Sequence, residues 1–440
     1  VSVTTIRDTM VNLDAAGKPL RPIILFVDQR KAECKKPLPP LPRALLKLVG
    51  MGEIVQIQRR VTNSNWIKEQ EPEIWEKTDK YVMISGYLTY MLTGIMKDST
   101  ASQIGHIPID NRKNVWMKKS ALLYSVFDIP RSKLADLVEP GAVIGKITLK
   151  ASEETGIPEG IPVIAAGSDK GCETVGTGCI DRESASLSFG TLASVQLYTE
   201  KYVEPLPFMP CYPALIKGSF NPEIQIYRGF WMLTWFVKEF AAKERAEAET
   251  TGEPPEEILN RKMQAVPPGS DGLMLQPYWT PGLTSPEGKG AIIGFSDVHT
   301  RIHLYRAILE GLNYGLLDGL RIMEKRSGNK VKSLTVSGGG AQSDIVCQLT
   351  ADMFGVPVYR VQTYETSGLG AAMVALMGIG RYKDMREAGK AMVRRCEPFV
   401  PDTESNKIYE SLYNDVYKKL YSRLKPSYTA IRSIMGDSVK

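Results

Sequence analysis

Along this chain, apolar residues recur at two spacings, and these predict most of its elements. Leu304, Ile308, Leu312, Leu316 and Leu320 return every four residues, which predicts a helix over 303–325. Gly311, Gly315 and Gly319 repeat with the same step on a neighbouring face. A glycine costs about 1 kcal/mol in a helix interior relative to alanine, so three at this spacing predict a close backbone approach by another element. Tyr409, Tyr413, Tyr417 and Tyr421 form one stripe of a tail helix over 404–424, and core packing is the expected reason. Elsewhere, short apolar runs stop at glycine. The run over 162–166 ends at Gly167, and the buried strand over 331–337 ends at Gly338-Gly339-Gly340 before a helix over 341–354. A further strand over 356–361 and a small-residue helix over 368–377 follow. The stretch 184–199 reads as a hairpin with Gly190-Thr191 at its tip.

The first part of the chain is patterned less regularly. Residues 1–30 predict strand, turn and strand, with a buried run over 23–27 that ends at Asp28-Gln29-Arg30. The proline-rich segment 36–42 is a loop, and 43–94 is helical, broken at Glu71-Pro72, with a last helix over 81–92 ending at Gly94. The polar stretch 98–109 reads as a loop, 114–127 and 131–138 as short helices, and 141–147 as a strand. A helix over 229–247 lies between proline-rich stretches at 205–222 and 266–290. Composition shifts after Gly178, which places a domain boundary near Ile180 and gives domains over 1–180 and 181–440.

Composition narrows the class. A chain of 440 residues with 43% hydrophobic and 24% charged residues is long enough for two or three domains with sizeable cores. The net charge of +6 is dispersed, and the short basic clusters at 31–36 and Arg394-Arg395 do not form a nucleic-acid track. No apolar run has the length of a membrane span. Six cysteines without CxxC spacing, beside only three histidines, favour reduced thiols in a cytoplasm over a zinc site.

Three stretches carry candidate chemistry. In IPVIAAGSDKGCETVGTG (161–178), Ser168 and Asp169 open a helix at the end of a buried strand, on a glycine turn. A carboxylate placed there is held still and partly dry, where ligands of α/β sheets collect. Either residue could instead cap the helix, and spacing alone favours the cap. The other two stretches are glycine-built. Gly190-Thr191 at a hairpin tip offers backbone N–H groups and a hydroxyl suited to phosphate, or is an ordinary turn. Strand, Gly338–340 turn and helix is a nucleotide-binding layout, although it matches neither GxGxxG with a distant acid nor GxxxxGK[ST].

Taken together, these pieces resemble one family over essentially the whole chain, the FGGY carbohydrate kinases, which include xylulokinase and glycerol kinase. The resemblance rests on Trp66-Ile67-Lys68 with PEIWEKT (72–78) and YLTYMLTG (87–94), and on AAGSDKGCETVGTG (165–178). It continues through LSFGT (187–191), GAIIGFSDVHTRIHLYRAILEG (290–311), SGGGAQSD (337–344), ADMFGVPV (351–358) and SGLGAAMVA (367–375). The last three look like adenosine-side elements of that family. The resemblance implies an α/β fold of two ribonuclease-H-like domains, of the actin and sugar-kinase superfamily, around a cleft. It also implies ATP- and Mg2+-dependent phosphorylation of a hydroxyl on a small sugar or polyol, in the cytoplasm, with a homodimer left open.

By the same resemblance Asp169 is the general base, and a water-bridged contact of Asp169 with magnesium is compatible with that role. Gly190 and Thr191 hold phosphates, and Gly338, Gly339, Gly340 and Gln342 line the nucleotide site. Arg7 and Asp8, in a segment similar to that of glycerol kinase but with Asp as the acid, hold substrate hydroxyls together with Phe26, Asp28 and Arg30. Phe26 stands where the family often has Trp, and xylulokinases carry a different segment at Arg7-Asp8, so the exact sugar stays open. The family's opening strand–DxGT–strand hairpin has no counterpart here. The first domain is therefore expected to lack its N-terminal strands and to leave a sheet edge unpaired, as in a fragment or incompletely represented chain of an active kinase. The competing class is a catalytically inactive sugar- or nucleotide-binding protein that keeps the kinase fold. An actin-like structural ATPase and a dehydrogenase fit the ordered motifs less well.

Overall fold

The structure is a computed structural model that describes residues 1–436 except Phe208, Pro281, Leu283 and Thr284, which fall within the two proline-rich stretches. The chain forms two compact units. Unit 1 comprises 1–176, 210–221 and 365–392, and unit 2 comprises 177–209, 222–364 and 393–440. The chain thus leaves unit 1 close to the boundary read from composition, but two later segments return to it, so a single cut at residue 180 does not describe the units.

Unit 2 is built on a five-stranded sheet in the order Glu223–Ile226, Ala193–Leu197, Ser184–Phe189, Ser333–Ser337 and Val358–Tyr359. The hairpin is antiparallel with Phe189 opposite Ala193, whereas Ser333–Ser337 runs parallel to both Ser184–Phe189 and Val358–Tyr359. Both central hairpin strands are buried along their whole length, as expected of strands covered on two faces. The Arg301–Ser327 helix covers this core, starting at Thr300, whose Oγ1 accepts from the Ile302 N–H, and ending at Gly328 with φ +77°. Its three glycines answer the spacing argument. A Cβ on Gly311 would press into the Leu275 carbonyl, one on Gly315 would meet Ile226, and one on Gly319 would stand 2.8 Å from Ile224. On the same helix Ile308, Leu312 and Leu316 are fully buried, each worth about 1.5–3 kcal/mol relative to exposure. Tyr409, Tyr413 and Tyr417 are buried beside Tyr314, which stacks on Tyr417 at 5.0 Å between centroids; Tyr421 is half-buried and donates to Glu287. The 229–247 helix is two, Trp231–Phe240 and Ala242–Thr251.

Unit 1 departs further from the hydrophobic pattern. Residues 81–83 belong to a strand, Lys80–Met83, which pairs antiparallel with Met10–Leu13; the helix begins only at Ile84 and runs to Thr93. The β-prone Tyr81-Val82-Met83 finds a partner strand that is distant in sequence, and tertiary pairing overrides the local helical reading. The polar 98–109 stretch is not an exposed loop. Lys97–Ser99 is a strand running parallel to Asp136–Val138, which replaces part of the helix predicted over 131–138. Asp98, Ser99, Thr100 and Gln103 are buried, and apart from the Thr100 hydroxyl, which has no hydrogen-bond partner among the described residues, their side-chain polarity is met internally. Ser85 Oγ and Gln103 Nε2 each donate to Asp98 Oδ2 at 2.7 Å, and Ser99 Oγ donates to the Ala166 carbonyl at 2.5 Å. In 114–127 only Tyr124–Phe127 is helical, after a two-residue strand at Val115–Trp116. The run over 23–27 buries Ile24 alone; Leu25, Phe26 and Val27 are 48%, 50% and 57% exposed.

Candidate active site

The Asp169–Gly176 helix follows the Pro162–Ile164 strand across the Gly167 turn. Residues 1–5 run alongside this segment in parallel, with bridges from Ser2 to Ile164 and from Thr5 to Ser168. Thr4 Oγ1 donates to the Gly167 carbonyl at 3.0 Å, and the Asp169 N–H donates to Thr5 O at 2.9 Å. This stitching brings Arg7 to the start of the helix.

There the capping role falls to one residue of the two. Ser168 Oγ accepts from the Gly171 N–H at 3.2 Å, so the serine takes the cap and is itself buried. Asp169 is the first helical residue. Its Oδ1 accepts from the Lys170 N–H at 2.8 Å, and its carboxylate stays 34% exposed. Arg7 Nε lies 3.8 Å from Asp169 Oδ1 and 3.4 Å from Ser168 Oγ, with its guanidinium 5.1 Å over the Tyr212 ring. Burial pushes the Asp169 carboxyl above the usual range; Arg7 and the Lys170 N–H pull the other way without cancelling it. Lys170 is engaged with Glu173 at 2.5 Å.

The helix is seated by a late segment of the chain. Thr366–Gly378 packs across it, and glycines at the crossing let backbones meet: a Cβ on Gly176 would run into the Thr366 carbonyl, and one on Gly370 into that of Cys172. Ser367 Oγ donates to the Asp169 carbonyl at 3.0 Å. The 367–375 stretch, read from sequence as lying on the adenosine side, thus packs in unit 1 on the Asp169 helix.

Arg7 and Asp8 do not act as one pair. Arg7 faces Ser168 and Asp169, whereas Asp8, at φ +49°, engages the 104–106 turn. Its N–H donates to Ile104 O at 3.0 Å, its Oδ1 accepts from the His106 N–H at 2.8 Å, and its Oδ2 lies 2.5 Å from His106 Nδ1. Burial alone would lower the His106 pKa, but the Asp8 carboxylate outweighs it and holds the imidazole above its ordinary value.

Phe26, Asp28 and Arg30 form a separate group. Arg30 clasps Asp28 with bonds of 2.7 and 2.8 Å, which holds the Asp28 carboxyl below its usual range, and lies 4.5 Å over the Trp66 ring. Among the described residues, none of the three makes a hydrogen bond, ion pair or ring contact with Arg7, Asp8 or Asp169.

In unit 2 the glycine turns converge at the carboxyl ends of two parallel strands. Gly338 follows Ser333–Ser337 at φ +84° and ψ 176°, and a Cβ there would stand 2.9 Å from the Phe189 carbonyl carbon and 3.2 Å from Gly190 N. Gly340 lies against Phe230 and Phe189, whose rings stack at 4.6 Å, and the Phe230 N–H donates to Gly190 O at 3.0 Å. Gly190, Gly338 and Gly340 are therefore brought together, while Thr191, Gly339 and Gln342 are exposed. Arg360 donates to the carbonyls of Ala341 and Gln342 and pairs with Asp344 at 2.6 Å, fixing the turn before the Asp344–Phe354 helix. Beside it opens a cavity of about 620 Å³ lined by Asp344, Arg360, Tyr364, Cys396 and Phe399.

His106 and Tyr212 were not read from sequence. A histidine after Gly105 was the only local signal for the first. Tyr212 had none, because it lies in a segment that returns to unit 1 from far along the chain. All six cysteines are free thiols, and among the described residues no helix is long and apolar enough to cross a membrane.

Known proteins share this layout. The model of the FGGY carbohydrate kinase N-terminal domain matches residues 1–176, and that of the C-terminal domain matches 185–379. The uncharacterized sugar kinase YgcE of Escherichia coli (strain K12) is 32% identical over 404 residues, covering 90% of this chain and 80% of that protein. The xylulose kinase of Staphylococcus epidermidis (strain ATCC 12228) is 28% identical over 421 residues, covering 94% and 81%. The crystal structure of xylulose kinase from Rhodospirillum rubrum superposes with a TM-score of 0.81 at 26% identity, covering 97% of this chain and 85% of that one. The fold is accordingly the α/β fold of two ribonuclease-H-like domains, and the chain belongs to the FGGY family of carbohydrate kinases, enzymes that phosphorylate sugars with ATP.

Proposed function

We propose that this kinase transfers the γ-phosphoryl group of ATP to a hydroxyl of a small sugar or polyol, pentulose- or glycerol-like, with Asp169 as general base. The observation that carries the reading is the division of labour at the helix start: Ser168 takes the cap and leaves a half-buried Asp169 carboxylate with Arg7 beside it. Burial raises the proton affinity of Asp169 above that of a free carboxylate, which improves it as an acceptor for a hydroxyl proton, while Arg7 favours its charged form and opposes that rise. Phosphoryl transfer otherwise needs positioning and charge neutralisation. Arg7 and Asp8 offer fixed donors and acceptors for hydroxyls, and Gly190, Thr191, Gly338, Gly339, Gly340 and Gln342 offer backbone and side-chain groups for the nucleotide. Phe26, Asp28 and Arg30 are the weaker members of the substrate set, since they pack as their own cluster.

Magnesium fits within limits. Among the described residues there is no group of three or more His, Cys, Asp or Glu side chains able to hold a metal. Magnesium on a nucleotide needs only one or two protein carboxylates and keeps several waters, a role open to Asp169 through water. When bound, it neutralises charge on the phosphates. The free thiols and the need for ATP support a cytoplasmic site of action.

The test is ADP release with D-xylulose, D-gluconate, glycerol and related sugars and polyols, in wild type and Asp169→Asn. Sugar-dependent turnover that is lost in the variant supports the reading. Turnover that survives in Asp169→Asn overturns the base assignment, and binding of sugar and nucleotide without any turnover returns the binding-protein reading.

A further inference from the structure

We propose that His106 is a positioning residue for sugar recognition: it locks the Asp8 carboxylate in the one orientation that receives two substrate hydroxyls. The proposal rests on the reading of the Arg7–Asp8 loop as part of the substrate site. Asp8 has a left-handed backbone at φ +49°, a conformation uncommon for a residue with a side chain, and it is fixed from the 104–106 turn at three atoms. The Ile104 carbonyl receives its N–H, the His106 N–H meets Oδ1 at 2.8 Å, and His106 Nδ1 meets Oδ2 at 2.5 Å. Gly105 permits this approach, since a Cβ there would stand 2.9 Å from the Asp8 Cα.

The carboxylate is thereby held on both oxygens by one residue, without Arg7. Each oxygen accepts along two lone-pair directions, and His106 uses one on each, so one acceptor direction remains on Oδ1 and one on Oδ2. Two free acceptors on one rigid carboxylate match a pair of neighbouring hydroxyls. The Asp8 and His106 side chains are 23% and 26% exposed, so a small molecule can reach both. With Nδ1 turned to Asp8, His106 Nε2 has no partner among the described residues, which leaves one more polar atom beside the diol. A freely rotating aspartate would have to be ordered on binding; this one is ordered beforehand.

The experiment combines steady-state kinetics on D-xylulose and glycerol with an NMR titration of the imidazoles in the absence of substrate. His106→Ala is expected to raise the sugar KM about tenfold with kcat within threefold and the ATP KM unchanged. His106→Asn, whose amide nitrogen can replace Nδ1 as donor to Asp8, is expected to recover most of that loss. Asp8→Asn is expected to raise the sugar KM at least as much, and adding His106→Ala to it to cost nothing further. In the substrate-free titration, Asp8→Asn should lower the His106 pKa. The inference falls if His106→Ala leaves the sugar KM within twofold of wild type while Asp8→Asn raises it, if the two changes add fully, or if the His106 titration ignores Asp8→Asn. If Asp8→Asn itself leaves the sugar KM unchanged, the substrate-site reading falls, and the inference with it.

Discussion

The two candidate regions are built on opposite plans. Around Asp169 the candidate groups are side chains drawn from stretches far apart in sequence, namely Arg7, Asp8, His106, Ser168, Asp169 and Tyr212. Around Gly338 they belong to backbone, brought to the ends of two parallel strands by glycines in conformations and clearances that other residues do not fit. A site of side chains can be retuned one residue at a time, which suits a group that must tell one polyol from another. A site of backbone is hard to retune and suits a phosphate chain common to every substrate pair.

Four changes would break or sharpen that contrast. The largest effect is expected from Asp169→Asn, which should lower kcat by about 10²–10⁴-fold without lowering the melting temperature, as measured by ADP release and calorimetry. A variant that keeps a tenth of wild-type turnover would break the comparison at its centre.

The second concerns Asp98, whose buried network supports the strand end behind Asp169 through Ser99 and Ala166. Burial pushes its carboxyl up to about 6, above the ordinary value near 3.9, so the folded state binds the proton more tightly than the unfolded one. This contribution to stability is full below about pH 4 and is lost as pH rises through about 6, a change of about 3 kcal/mol. Hydrogen-exchange protection in 97–103, corrected for the intrinsic base catalysis of exchange, should fall across that window in wild type and lose this pH dependence in Asp98→Asn. A flat wild-type profile would show that the network ionises without cost.

Third, Gly338→Ala forces a side chain into a backbone region that is essentially glycine's, at a cost of about 1–3 kcal/mol. The ATP KM should rise several-fold with the sugar KM unchanged. A matching rise in both would dissolve the division between regions. The smallest effect is expected from Ser168→Ala, which removes the cap for about 1 kcal/mol of stability seen in thermal melts.

The two regions also differed in how far they could be read in advance. The glycine turns were legible because a strand, a glycine run and a helix are contiguous in sequence, and because Gly311, Gly315 and Gly319 advertise a close approach that the structure supplies. Asp169 was legible as a position, whereas which of Ser168 and Asp169 takes the cap needed the Ser168 Oγ geometry. The rest of unit 1 was hidden for one physical reason, long-range pairing. Tyr81–Met83 became strand because Met10–Leu13 lies beside it, and the polar 98–103 stretch sits in the core with Ser85 and Ala166, from outside it, bonding Asp98 and Ser99. Phe26 misled in the opposite sense, being apolar, flanked by apolar residues and exposed.

The crossing of Asp169–Gly176 by Thr366–Gly378 has a consequence for how the protein is made. A ribosome finishes the aspartate's helix almost two hundred residues before it supplies the segment that seats it. At ordinary elongation rates of about 5–20 residues per second, the helix waits on the order of ten to forty seconds for its partner. During that interval Gly176 and Cys172 lack the Thr366 and Gly370 backbone that meets them in the folded chain. Maturation of the aspartate's surroundings therefore waits until residues 366–378 have been translated, so shorter nascent chains lack that seat.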